Sequence, residues 1–267
     1  MKKSILDTTF RELLNQEHQH RFSYRVSTLT QPISTVILDA LTAVLPPPVE
    51  THEGDVTNLR TLFGFVYEAA FEQANPDYQT QVEVTLDGIS GHVDFYDPKT
   101  ATVIDTKCVA STVASKLKGA TRGKNIAPPN LDYLGYESQV KAYMWMLGAT
   151  SGALHVIDRG YLNKVIHVTS VPTQTFWESV LSRKKVSSLI IEAISKRDFA
   201  TLHSMLQYAI ERNEWHPYSV YRNYGNIFTK GAYGVVTGTL PKETSKLFDL
   251  IVSAVLTVSD IKEFYDV

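Results

Sequence analysis

Residues 79–108 constrain the fold more than any other part of this chain. QTQVEVTL (79–86), GHVDFY (91–96) and ATVIDTKC (101–108) are rich in β-branched and aromatic residues. Such side chains pack well on a pleated surface and favour strands. Asp87-Gly88 separates the first run from the second, and Asp97-Pro98-Lys99-Thr100 separates the second from the third. Asp-Gly is a two-residue hairpin signal. Asp and Pro favour turns because Asp can bond its own backbone and Pro presets φ. Three consecutive antiparallel strands are therefore predicted.

Side chains alternate between the faces of a strand. Strict alternation puts Val93 and Phe95 on one face of the second strand, with His92, Asp94 and Tyr96 on the other. On the third strand, Thr102, Ile104, Thr106 and Cys108 oppose Val103, Asp105 and Lys107. Asp105 and Lys107 then point the same way, about 6.6 Å apart along the strand at about 3.3 Å per residue. Asp94 joins them only in a register that the sequence allows but does not fix. A solvated antiparallel face also carries cross-strand acid–lysine pairs, so the rest of the chain must decide between surface and site.

Helical patterns flank these strands. Residues 5–16 and 33–44 read as helices, with VLPPPVE (44–50) as a break. In 57–74, Leu59, Leu62, Phe63, Val66, Ala70, Phe71 and Ala74 recur at helical spacing, and Asn75-Pro76-Asp77 stops the helix. Residues 109–130, with Gly119, Gly123, Pro128 and Pro129, read as irregular. A helix is expected over 131–147, strands over 151–158 and 162–170, and a long helix over about 173–197. Beyond it come further helical stretches, an aromatic glycine-containing loop around 215–239, and a last helix over about 242–257.

Composition narrows the classes. The chain has 267 residues, 43% hydrophobic and 20% charged, as expected of a soluble globular protein. A single cysteine, Cys108, leaves no intrachain disulfide and no multi-cysteine zinc or iron–sulfur centre. No apolar run reaches membrane-spanning length, and the N-terminus lacks the apolar core of a signal peptide. A cytoplasmic location is the expectation. With a net charge of −2, any phosphate-binding surface must be local.

Two helices and the hairpin carry candidate chemistry. Glu68 lies near the rim of the buried face of the 57–74 helix, where an ordinary solvated glutamate would also sit. Gln139 and Tyr143 are one turn apart on one helix face, where taken alone they read first as interfacial packing. Asp94, Asp105 and Lys107 sit on the hairpin. In chain order these are a helix with Gly-x-x-x-Glu, a strand with Gly-x-x-Asp, a strand with Asp-x-Lys, and a helix with Gln-x-x-x-Tyr. This ordered set, spanning about residues 57–158, resembles the RecB-like branch of the PD-(D/E)xK nuclease superfamily. Gly91-His92-Val93-Asp94 and Ile104-Asp105-Thr106-Lys107 carry the likeness, with Gln139 and Tyr143 after them. Many relatives have histidine where this chain has Glu68. These 267 residues contain no Walker-type loop, so an attached motor is not expected.

The resemblance implies an α/β fold with a restriction-endonuclease-like core: a central mixed β-sheet flanked by helices. The nuclease core is placed over 51–172, and the helical patterns outside it read as an N-terminal helical extension over 1–50 and a C-terminal helical region over 173–267. The resemblance further implies a Mg2+- or Mn2+-dependent deoxyribonuclease without an iron–sulfur cluster. Such an enzyme would be a DNA exonuclease in replication, recombination or repair, acting alone, as a homo-oligomer or with partner proteins. Glu68, Asp94, Asp105 and the carbonyl of Thr106 would be the metal ligands, since hard cations prefer oxygen. Lys107 would orient water or stabilise charge, and Gln139 and Tyr143 would orient Lys107 or touch the scissile strand. A site-specific or structure-specific endonuclease, and a non-catalytic DNA-binding accessory protein, are the alternatives.

Between Lys107 and Asn130 there is no acid, while Lys116, Lys118, Arg122 and Lys124 are present. This reads as a flexible basic loop that could clamp a DNA backbone or as a solvated surface loop. His92 could touch substrate or be a partly exposed hydrogen-bonded histidine. Arg183, Lys184 and Lys185 read as an exposed helix face. Trp215, Tyr218, Tyr221 and Tyr224 could stack on unpaired bases or pack a subdomain.

Overall fold

The computed structural model describes residues 23–42, 54–118, 120–122, 125–127, 132–161 and 163–212. The helices expected over 5–16 and 242–257, the break at 44–50 and the aromatic stretch at 215–224 lie outside the described residues.

The strands are β1 (Gln79–Leu86), β2 (Ile89–Asp97), β3 (Thr102–Val109), β4 (Ala120–Arg122), β5 (Asn125–Ala127), β6 (Ser151–Asp158) and β7 (Asn163–Thr169). Five of them form one sheet in the order β1-β2-β3-β6-β7, and β4 and β5 pair separately. β3 and β6 are parallel from Thr102↔Ser151 to Val109↔Asp158, and the other pairs in the main sheet are antiparallel. The sheet is therefore mixed, as expected. A parallel pair requires a long crossover, which here contains α4 (Ser111–Lys118), β4, β5 and α5 (Tyr136–Leu147). The remaining helices are α1 (Val26–Leu29), α2 (Ile33–Thr42), α3 (Gly54–Ala74), α6 (Gln174–Lys196) and α7 (Phe199–Arg212). None of the described helices is long and apolar enough to cross a membrane.

The turns form where the sequence places them, for local reasons. Asp87 and Gly88 have φ of 52° and 67°, and Leu86 pairs with Ile89 across them, so the hairpin loop has two left-handed residues. In the next turn, Asp97 Oδ1 accepts the Lys99 amide at 2.9 Å and Oδ2 accepts the Thr100 hydroxyl at 2.6 Å.

The sheet is covered on both sides. On one face, Val93, Val103, Leu154 and Val156 pack with Val140, Tyr143 and Met144 of α5, Val26 and Leu29 of α1, and Trp177 and Val180 of α6. On the other, Phe95, Ile104 and Ala153 meet Phe71 of α3 and Tyr78, with Phe71 and Phe95 ring centroids 4.7 Å apart.

These two clusters correct the strict alternation expected of β2. Val93 belongs to the α5 face and Phe95 to the α3 face, although both are buried. β1 changes face at the same level. Val82 packs with the α5-side cluster, whereas Tyr78 joins the α3-side cluster and the Thr80 hydroxyl bonds Glu72 of α3. The cause lies between them: Gln81 has φ of 48°, and the register passes from Thr80↔Phe95 to Val82↔Val93 without a Gln81–Asp94 pair.

Two further readings change. Residues 109–130 contain α4 and a short β4–β5 hairpin where an irregular loop was expected. The α4 helix is fixed from outside. Val113, Ala114 and Leu117 are buried, and the Ser111 hydroxyl donates to Asp158 Oδ1 at 2.6 Å. Arg183 and Lys184 do not simply face solvent either. Arg183 Nη1 donates to the Leu29 carbonyl at 3.1 Å, and Lys184 Nζ to the Asp87 carbonyl at 2.5 Å. With Trp177 Nε1 donating to Asp87 Oδ2 at 2.8 Å, α6 grips the β1–β2 turn.

Candidate active site

The site forms where β2 and β3 part. Their backbone pairing covers Asp97↔Thr102, Tyr96↔Val103 and Phe95↔Ile104, and then stops. The next residue on β2, Asp94, supplies a side chain in place of the ladder. Its Oδ2 accepts the Thr106 amide at 2.7 Å and the Thr106 hydroxyl at 2.9 Å. A carboxylate thus fills the gap between strands, held by two donors from a single β3 residue.

Asp105 and Lys107 share the α5 face, as alternation predicts. Asp105 is fully buried, and its Oδ2 lies 2.6 Å from Lys107 Nζ, whose side chain is 20% exposed. That contact is a short ion pair with the lysine ammonium, and no other donor among the described residues reaches either Asp105 oxygen. Burial pushes the Asp105 carboxyl up to about 7, opposed by Lys107 and reinforced by Asp94 and Glu68. Burial would lower the Lys107 amine, but Asp105 and Asp94 outweigh it and hold it above the ordinary lysine range. Lys107 is therefore an ammonium, and it lies 5.6 Å from the Tyr136 ring centroid, within cation–π range.

Gln139 and Tyr143 stand together on α5. Gln139 Nε2 donates to the Tyr143 hydroxyl at 3.2 Å. Burial, followed by Asp105, pushes the Tyr143 phenol up to about 12, so it stays protonated at neutral pH. Its ring packs closely against Gly91: a Cβ there would sit 2.5 Å from Tyr143 Cε1. The glycine of the Gly-x-x-Asp motif is thus the opening through which the α5 tyrosine reaches the centre.

Glu68 approaches from the opposite face. Its Oε1 lies 3.4 Å from the Thr106 hydroxyl, and the Gln81 amide reaches its Oε2 at 3.5 Å. One hydroxyl proton cannot serve two carboxylates at once, and the shorter contact assigns it to Asp94. Burial raises the Glu68 carboxyl, and Asp94 adds to the rise. The acids therefore straddle β3, with Glu68 on the α3 side, Asp105 on the α5 side and Asp94 between them. Among the described residues, no three His, Cys, Asp or Glu side chains gather closely enough to hold a metal ion as they stand. The donor chemistry nevertheless suits a hard cation. Lys107 meets Oδ2 of the buried Asp105 carboxylate and leaves Oδ1 without a donor among the described residues, where a buried oxygen normally demands a partner.

The other sequence-predicted residues are more dispersed. His92 is exposed, with Nε2 3.3 Å from Glu83. Lys116 is exposed on α4, an ordered helix and not a flexible loop. The side chains of Lys118 and Arg122, and all of Lys124, lie outside the described residues. Gln81 was not foreseen. A glutamine in a uniformly alternating strand gives no signal of its left-handed backbone.

A scan against protein-family models finds no match, and neither does a search of curated proteins. Solved structures do match. The protein SSO0001 is 16% identical over 70% of this chain and 87% of its own, with a TM-score of 0.46. A phage related exonuclease from Haemophilus somnus 129PT is 12% identical over 67% of this chain and 96% of its own, at 0.36. An alkaline exonuclease from Laribacter hongkongensis, LHK-Exo, is 12% identical over 57% of this chain and 71% of its own, at 0.33. With overlap this slight, the chemistry of the site rests on its own geometry.

Proposed function

We propose that this protein is a metal-dependent deoxyribonuclease that hydrolyses phosphodiester bonds, acting as a DNA exonuclease. One observation carries the reading. Asp105 lies fully buried, its Oδ2 ion-paired to Lys107 and its Oδ1 without a donor among the described residues, beside Asp94 in the gap between β2 and β3. A buried carboxylate left this way costs stability, which argues for a purpose other than packing. The motif order that resembles RecB-like nucleases supports the same centre.

Asp94 and Asp105 are the residues that would hold Mg2+ or Mn2+, with Glu68 and the Thr106 carbonyl as further oxygen donors. Such an ion supplies charge neutralisation at the phosphate and a more acidic water. Hydrolysis forms a bond from a water oxygen to phosphorus, breaks the bond from phosphorus to a sugar oxygen, and leaves that oxygen to take a proton. Lys107, held as an ammonium, stabilises the negative charge that grows on the phosphate oxygens. It has no free pair with which to act as a base. Tyr143, a neutral phenol fixed by Gln139, offers a hydrogen bond at the same face. Lys116, Lys118, Arg122, Lys124 and His92 are the proposed contacts to the DNA backbone.

A second reading, a DNA-binding module that does not cut, is favoured by one observation: Asp94 is engaged by Thr106, and three acids do not gather. End-labelled linear and closed circular DNA, each with Mg2+ or Mn2+, separate the readings. The exonuclease reading expects linear DNA to be degraded and circular DNA spared. The Asp105→Asn and Lys107→Gln variants, shown folded by circular dichroism, should lose at least about 100-fold in rate, as when a charge-stabilising group is removed. Undiminished cleavage by both rejects the centre. DNA binding without cleavage by the parent chain supports the binding module.

A further inference from the structure

Gln81 lies inside β1 with φ of 48°, a left-handed conformation that is uncommon for any residue but glycine. Strain of this kind persists only where the surroundings impose it, and it clusters at functional sites. Three observations converge here. The β1–β2 ladder skips the Gln81–Asp94 pair without insertion or deletion. Both strands change face at that level, with Val82 and Val93 on the α5 side and Thr80 and Phe95 on the α3 side. The Gln81 amide also reaches Glu68 Oε2 at 3.5 Å.

The change of face decides where Asp94 points. Regular alternation continued from Val93 would aim Asp94 at α3, and alternation continued from Phe95 would aim it at α5. At the turnover it points in neither direction. It lies along the sheet, where its Oδ2 meets the amide and hydroxyl of Thr106 on β3. From there it neighbours Glu68 on one face and Asp105 on the other. An untwisted β1 would aim Asp94 at one face only, beside Glu68 or beside Asp105 but not between them.

We propose that Gln81 is a positioning residue: its left-handed backbone turns β1 and β2 over at Asp94 and so aims that carboxylate between Glu68 and Asp105, while its amide steadies Glu68. The activity half of this inference rests on the nuclease reading; the backbone half does not.

The test is a substitution series at Gln81, with thermal unfolding and DNA cleavage measured on the full chain. In an ordinary strand, valine is favoured over glycine and asparagine. At a left-handed position the order reverses, because a β-branched residue is a genuine outlier there. Gln81→Gly and Gln81→Asn keep the backbone and lose a weak amide contact, so cleavage falls by less than about tenfold. Gln81→Val melts below both, and its cleavage falls by about 100-fold as Asp94 is displaced. Equal cleavage by the Gly and Val variants, or a Val variant that melts highest, overturns the proposal. A parent chain that cuts no DNA refutes the nuclease reading instead, and the melting order then decides the backbone claim alone.

Discussion

Replacing Gly91 by alanine tests how the α5 tyrosine reaches the centre. An added Cβ would lie 2.5 Å from Tyr143 Cε1, 3.3 Å from Cζ and 3.1 Å from Val26 Cγ2. Both neighbours are buried, so neither can swing into solvent. Gly91 is not among the residues with positive φ, so the backbone accepts alanine. Stiffening the unfolded chain would by itself stabilise the protein by about 0.4–1 kcal/mol. Overpacking a core costs about 1–3 kcal/mol, and the closest of these contacts is tight enough to place Gly91→Ala near the upper half of that range. A net loss of about 1–2 kcal/mol follows, or a fall in melting temperature of about 2–8 °C at about 2–4 °C per kcal/mol. Urea and thermal unfolding read this directly. The cause is isolated by repeating the substitution in a Tyr143→Leu background, which lacks the ring carbons that clash. The cost should shrink there by about 1 kcal/mol, a coupling expected of residues in contact. A Gly91→Ala chain as stable as its parent, or a cost unchanged in the leucine background, refutes the packing argument.

Three other outcomes are expected. Trp177→Phe removes the indole bond to Asp87 and should cost about 1 kcal/mol in urea unfolding, the usual worth of one hydrogen bond; no loss would mean that the indole does not help α6 hold the β1–β2 turn. The Thr100 hydroxyl, opposed by burial and helped by the Lys99 amide, holds the Asp97 carboxyl below its ordinary range. Its contribution to stability is therefore full above the ordinary carboxylate range and is lost as pH falls through the lowered value; Asp97→Ala should flatten the acid limb of stability against pH, and an unchanged limb would contradict it. Burial pushes the Cys108 thiol up, with Arg159 partly opposing. Alkylation of this single cysteine should therefore keep accelerating above about pH 9, where a free thiol levels off, and a plateau at lower pH would rule the shift out.

The sequence discloses the parts of this fold that depend on local chemistry. Asp87-Gly88 and Asp97-Pro98 set the hairpins, and β-branched runs place all three strands. Period-two alternation correctly puts Asp105 and Lys107 on one face. The elements it hides depend on distant partners. The α4 helix has only eight residues and is held by the Asp158 contact to Ser111 and by burial of Leu117, neither of which is visible locally. Helix α5 starts later than 131 because a 3-10 turn, Tyr133–Gly135, precedes it, with Leu134 at φ of 72°. The turnover at Gln81 is concealed because Val93 and Phe95 are both buried, one on each face, so a hydrophobic pattern cannot tell them apart. For the same reason Glu68 could be placed near the centre but not on its opposite side. Gly91 stands in the sequence only as one position of Gly-x-x-Asp; the Tyr143 ring explains why it carries no side chain.

The central claim is that Asp94 and Asp105 hold a hard divalent cation. Anomalous diffraction from crystals soaked in Mn2+ measures this most directly. The account predicts a peak between the two carboxylates, with Asp94 released from the Thr106 amide to meet the ion, and no such peak in Asp105→Asn crystals. Crystals of the parent chain that show no peak there, with Asp94 still bonded to Thr106, would contradict it.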